Sequence, residues 1–259
     1  MARISTQTRH SEILDLLSEQ GEVSVDALSR QFSTSEVTIR KDLRQLEAAN
    51  QLVRKFGGAV RLPSENKSES LSEDYLSNRK LSIAEQAASL IPSGARIALD
   101  SGSTVLALLT FLEQRNDLVV MTNSLTVANH LTQLDTPPQV LFTGGTWDQQ
   151  SQAFQGQMAE RMLSAYDFDF AFIGAAGIDV ERGTTTFNEL TNLSKVMAQN
   201  AEKVVIMAES NKLNRRIPNV ELPWDSISTL ITDDAIDPES YQAITQHGVA
   251  VIRAQTEEK

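Results

Sequence analysis

Between Arg96 and Ile252 seven short apolar runs of β type alternate with stretches of helical patterning, and no other feature of the chain narrows its fold as far. The runs are Arg96 to Leu99, Leu118 to Met121, Val140 to Phe142, Phe170 to Ile173, Val204 to Met207, Thr229 to Ile231 and Val249 to Ile252. Strands separated by helical segments are the signature of a parallel sheet with crossover connections, so this part is expected to be an α/β domain. In such a sheet the loops at the carboxyl ends of the strands surround the binding crevice.

Ahead of these runs, residues 63–74 read Pro-Ser-Glu-Asn-Lys-Ser-Glu-Ser-Leu-Ser-Glu-Asp. They carry too little apolar surface to offset the entropy of ordering, and are expected to be a linker between a small domain, 1–62, and a larger one, 75–259. The small domain shows three short helical patterns and a hairpin. Its charge differs sharply from the rest: residues 1–61 carry +1 and the remainder −12, within a total of −11. From Arg40 to Arg61 six basic residues face two acidic ones, so the positive field is local.

Composition removes several classes of function. The chain has no cysteine, and its three histidines, His10, His130 and His247, are scattered without ligand spacing. No disulfide framework, thiolate nucleophile or metal centre is expected, and no cofactor. No apolar run approaches the ~20 residues of a membrane span, so a cytoplasmic protein is expected.

In the small domain, Ile4, Ile13, Leu14, Leu16 and Leu17 mark a first helix that Gly21 would end, and Ser24 can cap a second carrying Val25, Leu28 and Phe32. Either Ser33 or Ser35 can cap a third. Within it, Ile39, Leu43 and Leu46 form a core stripe, which turns Val37, Arg40, Lys41 and Arg44 to the outer face. A cationic face with one small apolar group near a helix N-terminus suits a major-groove reader: Arg and Lys bond phosphate or guanine, and Val can meet a thymine methyl. Leu52 to Leu62 reads as two short strands around a Gly57-Gly58 turn, with Arg54 and Lys55 on a wing placed to touch DNA backbone. Taken alone, such a charged face would be a solvated surface. The order of three small helices and a basic glycine hairpin makes it a winged helix-turn-helix.

In the larger domain the first run leads into Asp100-Ser101-Gly102-Ser103-Thr104 and then a helical pattern from Val105 to Gln114. Backbone N–H groups, hydroxyls and a helix N-terminus aimed at one point suit a phosphate, although the same residues also make an ordinary strand-to-helix turn. Similar loops follow: Thr122-Asn123-Ser124, Thr143-Gly144-Gly145-Thr146, and Gly174 to Asp179. Together they favour a small polar ligand.

The segment Arg9 to Leu62, with Val23-Ser24-Val25, Ser35 to Leu43, Leu46-Glu47 and Gly57-Gly58-Ala59-Val60, resembles the helix-turn-helix of the DeoR family of bacterial sugar-catabolism repressors. Residues 75–254 resemble that family's sensor domain, similar in fold to ribose-5-phosphate isomerase and the CoA-transferase-like superfamily. The matching stretches include Lys80, Asp100 to Thr104, Met121 to Leu125, Gly144-Gly145, Phe172 to Ala175, Gly183-Thr184, Asn188-Glu189 and Lys195. The resemblance implies a helix-turn-helix over Val23 to Leu43, and the DNA contacts are expected from Ser35, Val37, Thr38, Arg40, Lys41, Arg44, Arg54 and Lys55. It implies operator half-sites bound by a dimer or tetramer. It also implies a phosphorylated sugar or sugar alcohol as effector, its phosphate held by Ser101, Gly102, Ser103 and Thr104. Asp100, Thr122, Asn123, Ser124, Gly144, Gly145, Asp179, Asn188, Glu189 and Lys195 would then line the sugar pocket. Where the family commonly shows Ala-Asp-Ser-Ser-Lys-Phe, this chain has Ala208-Glu209-Ser210-Asn211-Lys212-Leu213.

The expected function is thus a DNA-binding regulator without catalytic activity. Two other readings compete. Asp100, Asp179, Glu189 and Lys195 are residue types that proton transfer beside a carbonyl uses, which would fit an active sugar-phosphate isomerase or transferase with an accessory DNA-binding domain. A purely structural module would bind neither operator nor small molecule.

Overall fold

The computed structural model describes residues 6–20, 22–48, 52–55, 58–61, 77–149, 151–186, 192–215 and 217–256. Two compact units, Met1–Glu65 and Asn66–Lys259, divide it. Ile4, Gly21, Gly57, Leu62 and the expected linker lie outside the described residues.

The first unit runs α1 (Thr6–Gln20), β1 (Glu22–Ser24), α2 (Val25–Gln31), α3 (Glu36–Ala48), β2 (Leu52–Lys55) and β3 (Gly58–Arg61). Its core gathers Ile13 and Leu17 of α1, Leu28 of α2, and Ile39, Leu43 and Leu46 of α3 around Leu52 and Ala59. The stripe read on the third helix is therefore the buried one. Ser35 is the residue that caps α3, its Oγ accepting from Thr38 N at 3.2 Å, while Ser33 takes a left-handed φ of 47° in the turn before it.

One acidic residue sits on that buried side. Asp42 accepts from Arg9 Nε at 2.6 Å and Arg9 Nη2 at 3.0 Å, with His10 Nε2 at 3.2 Å, and both Arg9 and Asp42 are buried. This bond to Asp42 holds the Arg9 guanidinium more firmly in its charged form than usual, against the cost of burial. The pair fixes α1 against α3.

β1, absent from the sequence expectation, completes a sheet in the order β1-β3-β2. Gly58 proves to be a strand residue opposite Lys55 and Ser24, outside the turn in which it was expected. Its need for glycine is steric: a Cβ there would stand 2.1 Å from Val23 O.

The second unit begins with α4 (Asn78–Ser89), β4 (Arg96–Leu99), α5 (Ser103–Leu106), α6 (Leu109–Leu112), β5 (Val119–Thr122), α7 (Leu125–Thr132) and β6 (Gln139–Phe142). It continues with β7 (Thr146–Asp148), β8 (Ala153–Gln155), α8 (Gln157–Leu163), β9 (Phe168–Gly174), β10 (Gly177–Asp179), β11 (Gly183–Thr186) and α9 (Asn192–Gln199). Last come β12 (Ala201–Met207), β13 (Asn219–Pro223), β14 (Thr229–Asp233), α10 (Pro238–Gln246) and β15 (Ala250–Ala254).

All seven apolar runs enter one parallel sheet, ordered β15-β14-β12-β9-β4-β5-β6. Alternate strand residues serve two separate cores. Ile97, Leu99, Phe172, Val205 and Ile231 meet α4 to α7, whereas Ala98, Ala171, Ile173, Ile206 and Leu230 meet α8, α9 and α10. Both faces are covered, which is why the runs are continuously apolar instead of alternating.

The helix expected from Val105 to Gln114 is two single turns. Ala107 and Leu108 between them keep right-handed angles, and the bonds Leu108 N to Val105 O and Phe111 N to Leu108 O span three residues. The path stays helical but tightens there toward 3₁₀ form. A three-stranded antiparallel sheet, β10-β11-β13, and a hairpin, β7-β8, add structure that apolar periodicity could not show.

Gly58→Ala should destabilise the first unit by about 1 to 3 kcal/mol in urea unfolding of the full chain, as an overpacked core does. Asp42→Ala should cost more, about 3 to 5 kcal/mol, because it removes the carboxylate that accepts from both Arg9 Nε and Arg9 Nη2 in the core.

Candidate functional site

On α3 the outward face is cationic with one apolar exception. Val37 is 77% exposed, and Arg40, Lys41 and Arg44 are exposed on the same helix. Arg40 Nη2 lies 2.7 Å from Glu36 Oε2 one turn earlier, an exposed pair of small energetic weight that fixes little. The Ser35 hydroxyl is occupied by capping and stands 2.9 Å from Thr38 Oγ1. Asp42 is turned inward to Arg9, so it does not dilute the outer charge. Arg54 and Lys55 are placed on β2 by their backbone.

The crevice follows from strand order. From central β4 the chain moves outward to β5 and β6, returns to β9 on the other side, and proceeds outward to β12, β14 and β15. The direction reverses between β4 and β9, the place where open α/β sheets gather their ligands. Asp100 to Thr104 follows β4 and Gly174 ends β9. Their backbones touch: a Cβ on Gly102 would lie 3.2 Å from Gly174 Cα.

Asp100 Oδ2 accepts from Gly174 N at 3.2 Å. Burial pushes its carboxyl above the ordinary range, while N–H groups of Ser101, Gly174 and Gly102 and the Ser101 hydroxyl pull the other way. The first four-residue hydrogen bond of α5 runs from Leu106 N to Gly102 O, and ahead of it lie the N–H groups of Ser103, Thr104 and Val105. A four-residue helix adds little dipole, so any anion here would rest on those N–H groups and on the hydroxyls of Ser101, Ser103 and Thr104.

Beside this loop, Leu99 pairs with Thr122, which makes Asp100 and Asn123 the next residues on neighbouring strands. Thr122 and Ser124 are buried and their hydroxyls serve the loop, accepting from Ser124 N at 3.0 Å and Val127 N at 3.3 Å. Gly144 and Gly145 follow β6 with φ of 60° and 120°, and a Cβ on Gly145 would stand 2.6 Å from Gln155 O.

The other expected pocket residues are placed differently. Asp179 is buried on β10, where it accepts from Arg182 Nε at 2.8 Å, Glu181 N at 3.0 Å and Arg182 N at 3.2 Å. Burial raises its carboxyl, but those bonds outweigh burial and hold it below the usual range. Its acceptors are thus committed to its own turn. Lys195 is half-buried on α9, which packs in the core opposite that of α5. Asn188 and Glu189 lie outside the described residues.

Sequence reasoning left the segment after β12 without a role. Glu209 Oε1 accepts from the α4-capping hydroxyl of Ser77 at 3.2 Å, and fully buried Asp233 accepts from Ser210 N and Ser210 Oγ, both at 2.7 Å. These bonds tie α4, β12 and β14 together near the crevice. The only advance signal was an aspartate ending an otherwise apolar run. Among the described residues no group of three or more His, Cys, Asp or Glu side chains is placed to hold a metal ion, and no helix is long and apolar enough to cross a membrane.

Comparison with known proteins matches residues 9–65 to the family described as DeoR-like helix-turn-helix domain and residues 76–234 to the DeoR C terminal sensor domain. A candidate aga operon transcriptional repressor of Escherichia coli O157:H7 is 36% identical over 252 residues, covering 95% of this chain and 93% of that protein. The transcriptional regulator GlpR of Haloferax volcanii is 32% identical over 94% of this chain and 96% of its own length. The glycerol-3-phosphate regulon repressor of Escherichia coli K12 is 29% identical over 93% and 96%. Among solved structures, ribose 5-phosphate isomerase A from Methanocaldococcus jannaschii aligns with a TM-score of 0.40 and 21% identity, over 56% of each chain. With its helix-turn-helix and its sensor both matched, and full-length relatives above 30% identity, the chain belongs to the DeoR family of transcriptional regulators.

Proposed function

We propose that this regulator represses a sugar or sugar-alcohol utilisation operon and releases it when a phosphorylated sugar or polyol enters the crevice between β4 and β9. The observation that carries the reading is the division of labour within one chain. An exposed helix face bears Val37, Arg40, Lys41 and Arg44, and a polar crevice lies at the reversal point of a separate sheet. Residues 1–62 form the DNA-binding part, 63–74 the linker and 75–259 the sensor, and the protein works in the cytoplasm as a dimer or tetramer on paired half-sites.

On DNA, Val37 meets a thymine methyl, Lys41 and Arg44 bond phosphate or base edges from the same face, and Ser35 and Thr38 approach the backbone at the helix N-terminus. Arg54 and Lys55 reach phosphate from the wing. In the sensor, Ser101 to Thr104 hold the phosphate, and the ligand is bound without turnover. The commitment of Asp179 to Arg182 supports a receptor over an isomerase, since a base already accepting three hydrogen bonds is poorly placed to take a substrate proton. Release of DNA requires that the ligand favour one arrangement of the oligomer over another, and a coupling of about 1 to 3 kcal/mol is typical.

The direct experiment is a gel shift on DNA upstream of the chain's own gene, with and without a panel of sugar and polyol phosphates. A specific complex dissolved by one phosphate ester supports both halves; failure to bind at low salt refutes the DNA reading. Arg44→Ala should weaken operator binding severalfold and lower the log-log salt slope by about 1. Ser103→Glu should abolish the ligand response with operator affinity unchanged, and a retained response would remove the phosphate from this loop.

A further inference from the structure

Among the described residues only three buried side-chain polar atoms lack a hydrogen-bond partner: Asn123 Oδ1, His130 Nε2 and Thr232 Oγ1. His130 lies near the end of α7 and Thr232 within β14, whereas Asn123 stands at the carboxyl end of β5 beside Asp100. Buried amide oxygens are almost always matched by a donor, so one without a partner at the end of a strand beside the crevice is open to a donor from outside the chain. Asn123 is 2% exposed. Two of its other groups meet one neighbour: Nδ2 donates to Phe154 O at 3.1 Å, and its backbone oxygen accepts from Phe154 N at 2.9 Å.

We propose that Asn123 Oδ1 accepts a hydroxyl of the effector's polyol part, and that the β7-β8 hairpin held by Asn123 moves as this bond forms. The proposal rests on the reading of the crevice as a site for a sugar or polyol phosphate. A carbonyl oxygen repels an anion, so the ligand's phosphate lies elsewhere, which agrees with its assignment to the loop from Ser101 to Thr104. A hydroxyl is the donor that a polyol carries, and it is the group that an amide oxygen accepts. Because the oxygen is covered, the hydroxyl reaches it only as the hairpin shifts.

That shift has a path outward. Phe154 packs edge-on against Phe142 and Trp147, with ring centroids 5.2 and 5.3 Å away. Trp147 is 42% exposed on the outer side of this cluster, whereas Trp224, the chain's other tryptophan, is 4% exposed and donates to Val180 O at 2.9 Å. An acceptor unsatisfied in one arrangement and satisfied in the other gives the ligand the unequal affinity that a switch needs.

The test uses the full chain carrying Trp224→Phe, so that Trp147 alone reports emission. Calorimetry on the unmutated chain and fluorescence on this variant follow inorganic phosphate, the hexitol and aldohexose 6-phosphates, and single-deoxy forms of any ester that binds. The expected result is an ester that shifts Trp147 emission and has one deoxy form binding at least tenfold more weakly. In Asn123→Ala that ratio should fall below threefold, while inorganic phosphate binds as before. If every deoxy form binds the unmutated chain within threefold of its parent, or the tenfold ratio persists in Asn123→Ala, the role of Asn123 is overturned with the crevice reading intact. Binding by calorimetry with unchanged Trp147 emission overturns the hairpin movement. If neither inorganic phosphate nor any ester binds the unmutated chain, it is the crevice reading that falls. Should Asn123→Ala melt early, the deoxy series on the unmutated chain and the Trp147 signal still decide.

Discussion

The carboxylate of Asp100 takes the N–H of Gly174 across the line where the sheet changes direction, and the crevice takes its form from this bond. Strands β4 and β9 are neighbours whose chains leave toward opposite wings, so their loops would part without a tie. A Cβ on Gly102 or Gly174 would stand 3.2 or 3.3 Å from the other's Cα, so the approach of the two loops is one that glycine fits without a shift. The tie draws a carboxylate partly out of water, which costs free energy, and the backbone donors around it recover only part of that cost, since the carboxyl stays above its ordinary range. Three of the N–H groups that could serve a bound anion thus already face an internal one. A phosphate held by this loop, as proposed, would take its backbone donors from Ser103 onward and only hydroxyls from the residues before it.

Electrostatics separates the two units as clearly as fold does. The N-terminal 61 residues are slightly positive and the remainder strongly negative, so the net charge of the sensor repels a polyanion and the cationic face of α3 is of the sign that attracts one. Turning Asp42 inward sharpens this. Its charge is neutralised by Arg9 inside the core, and the outer face keeps Lys41 and Arg44 beside Val37. The same pair sets the angle of α3 on α1, so one buried contact serves both packing and the helix's outward charge.

Much of this was legible in the chain. Seven apolar runs became the seven strands of one sheet because burial on both faces leaves no polar alternation to confuse them, and the stripe of Ile39, Leu43 and Leu46 followed from helical spacing alone. The elements that escaped are those whose pattern is not apolar. β10 and β11 are short and begin with glycine, β11 continuing in threonine, β13 mixes polar and apolar residues up to Pro223, and β7 pairs through Trp147 and a polar turn. Gly58 looked like a turn residue because glycine suits both a turn and a close approach, and only the third strand distinguishes them. Asp42 falls at the i+3 position from Ile39, on the core side, but its partner is 33 residues away and no local rule names it. Asp179 was expected in the pocket on resemblance, and its bond to Arg182 could be seen only once β10 and its turn were formed.

Strand order also carries a consequence for how the molecule comes into being. The first strand of the sheet to leave the ribosome, β4, ends in the middle of it, with β5 and β6 completing one wing while the other side of β4 stands open. The partner that closes the crevice, Gly174, arrives 74 residues after Asp100. Until then the apolar edge of β4 is unpaired, and pairing over such a separation is slow. The helix-turn-helix, whose pairings such as Arg9 with Asp42 and Ser24 with Gly58 span shorter stretches of chain and which is synthesised first, can be complete before its sensor exists. A nascent chain is therefore able to hold a folded DNA reader for a period in which no effector can yet be sensed.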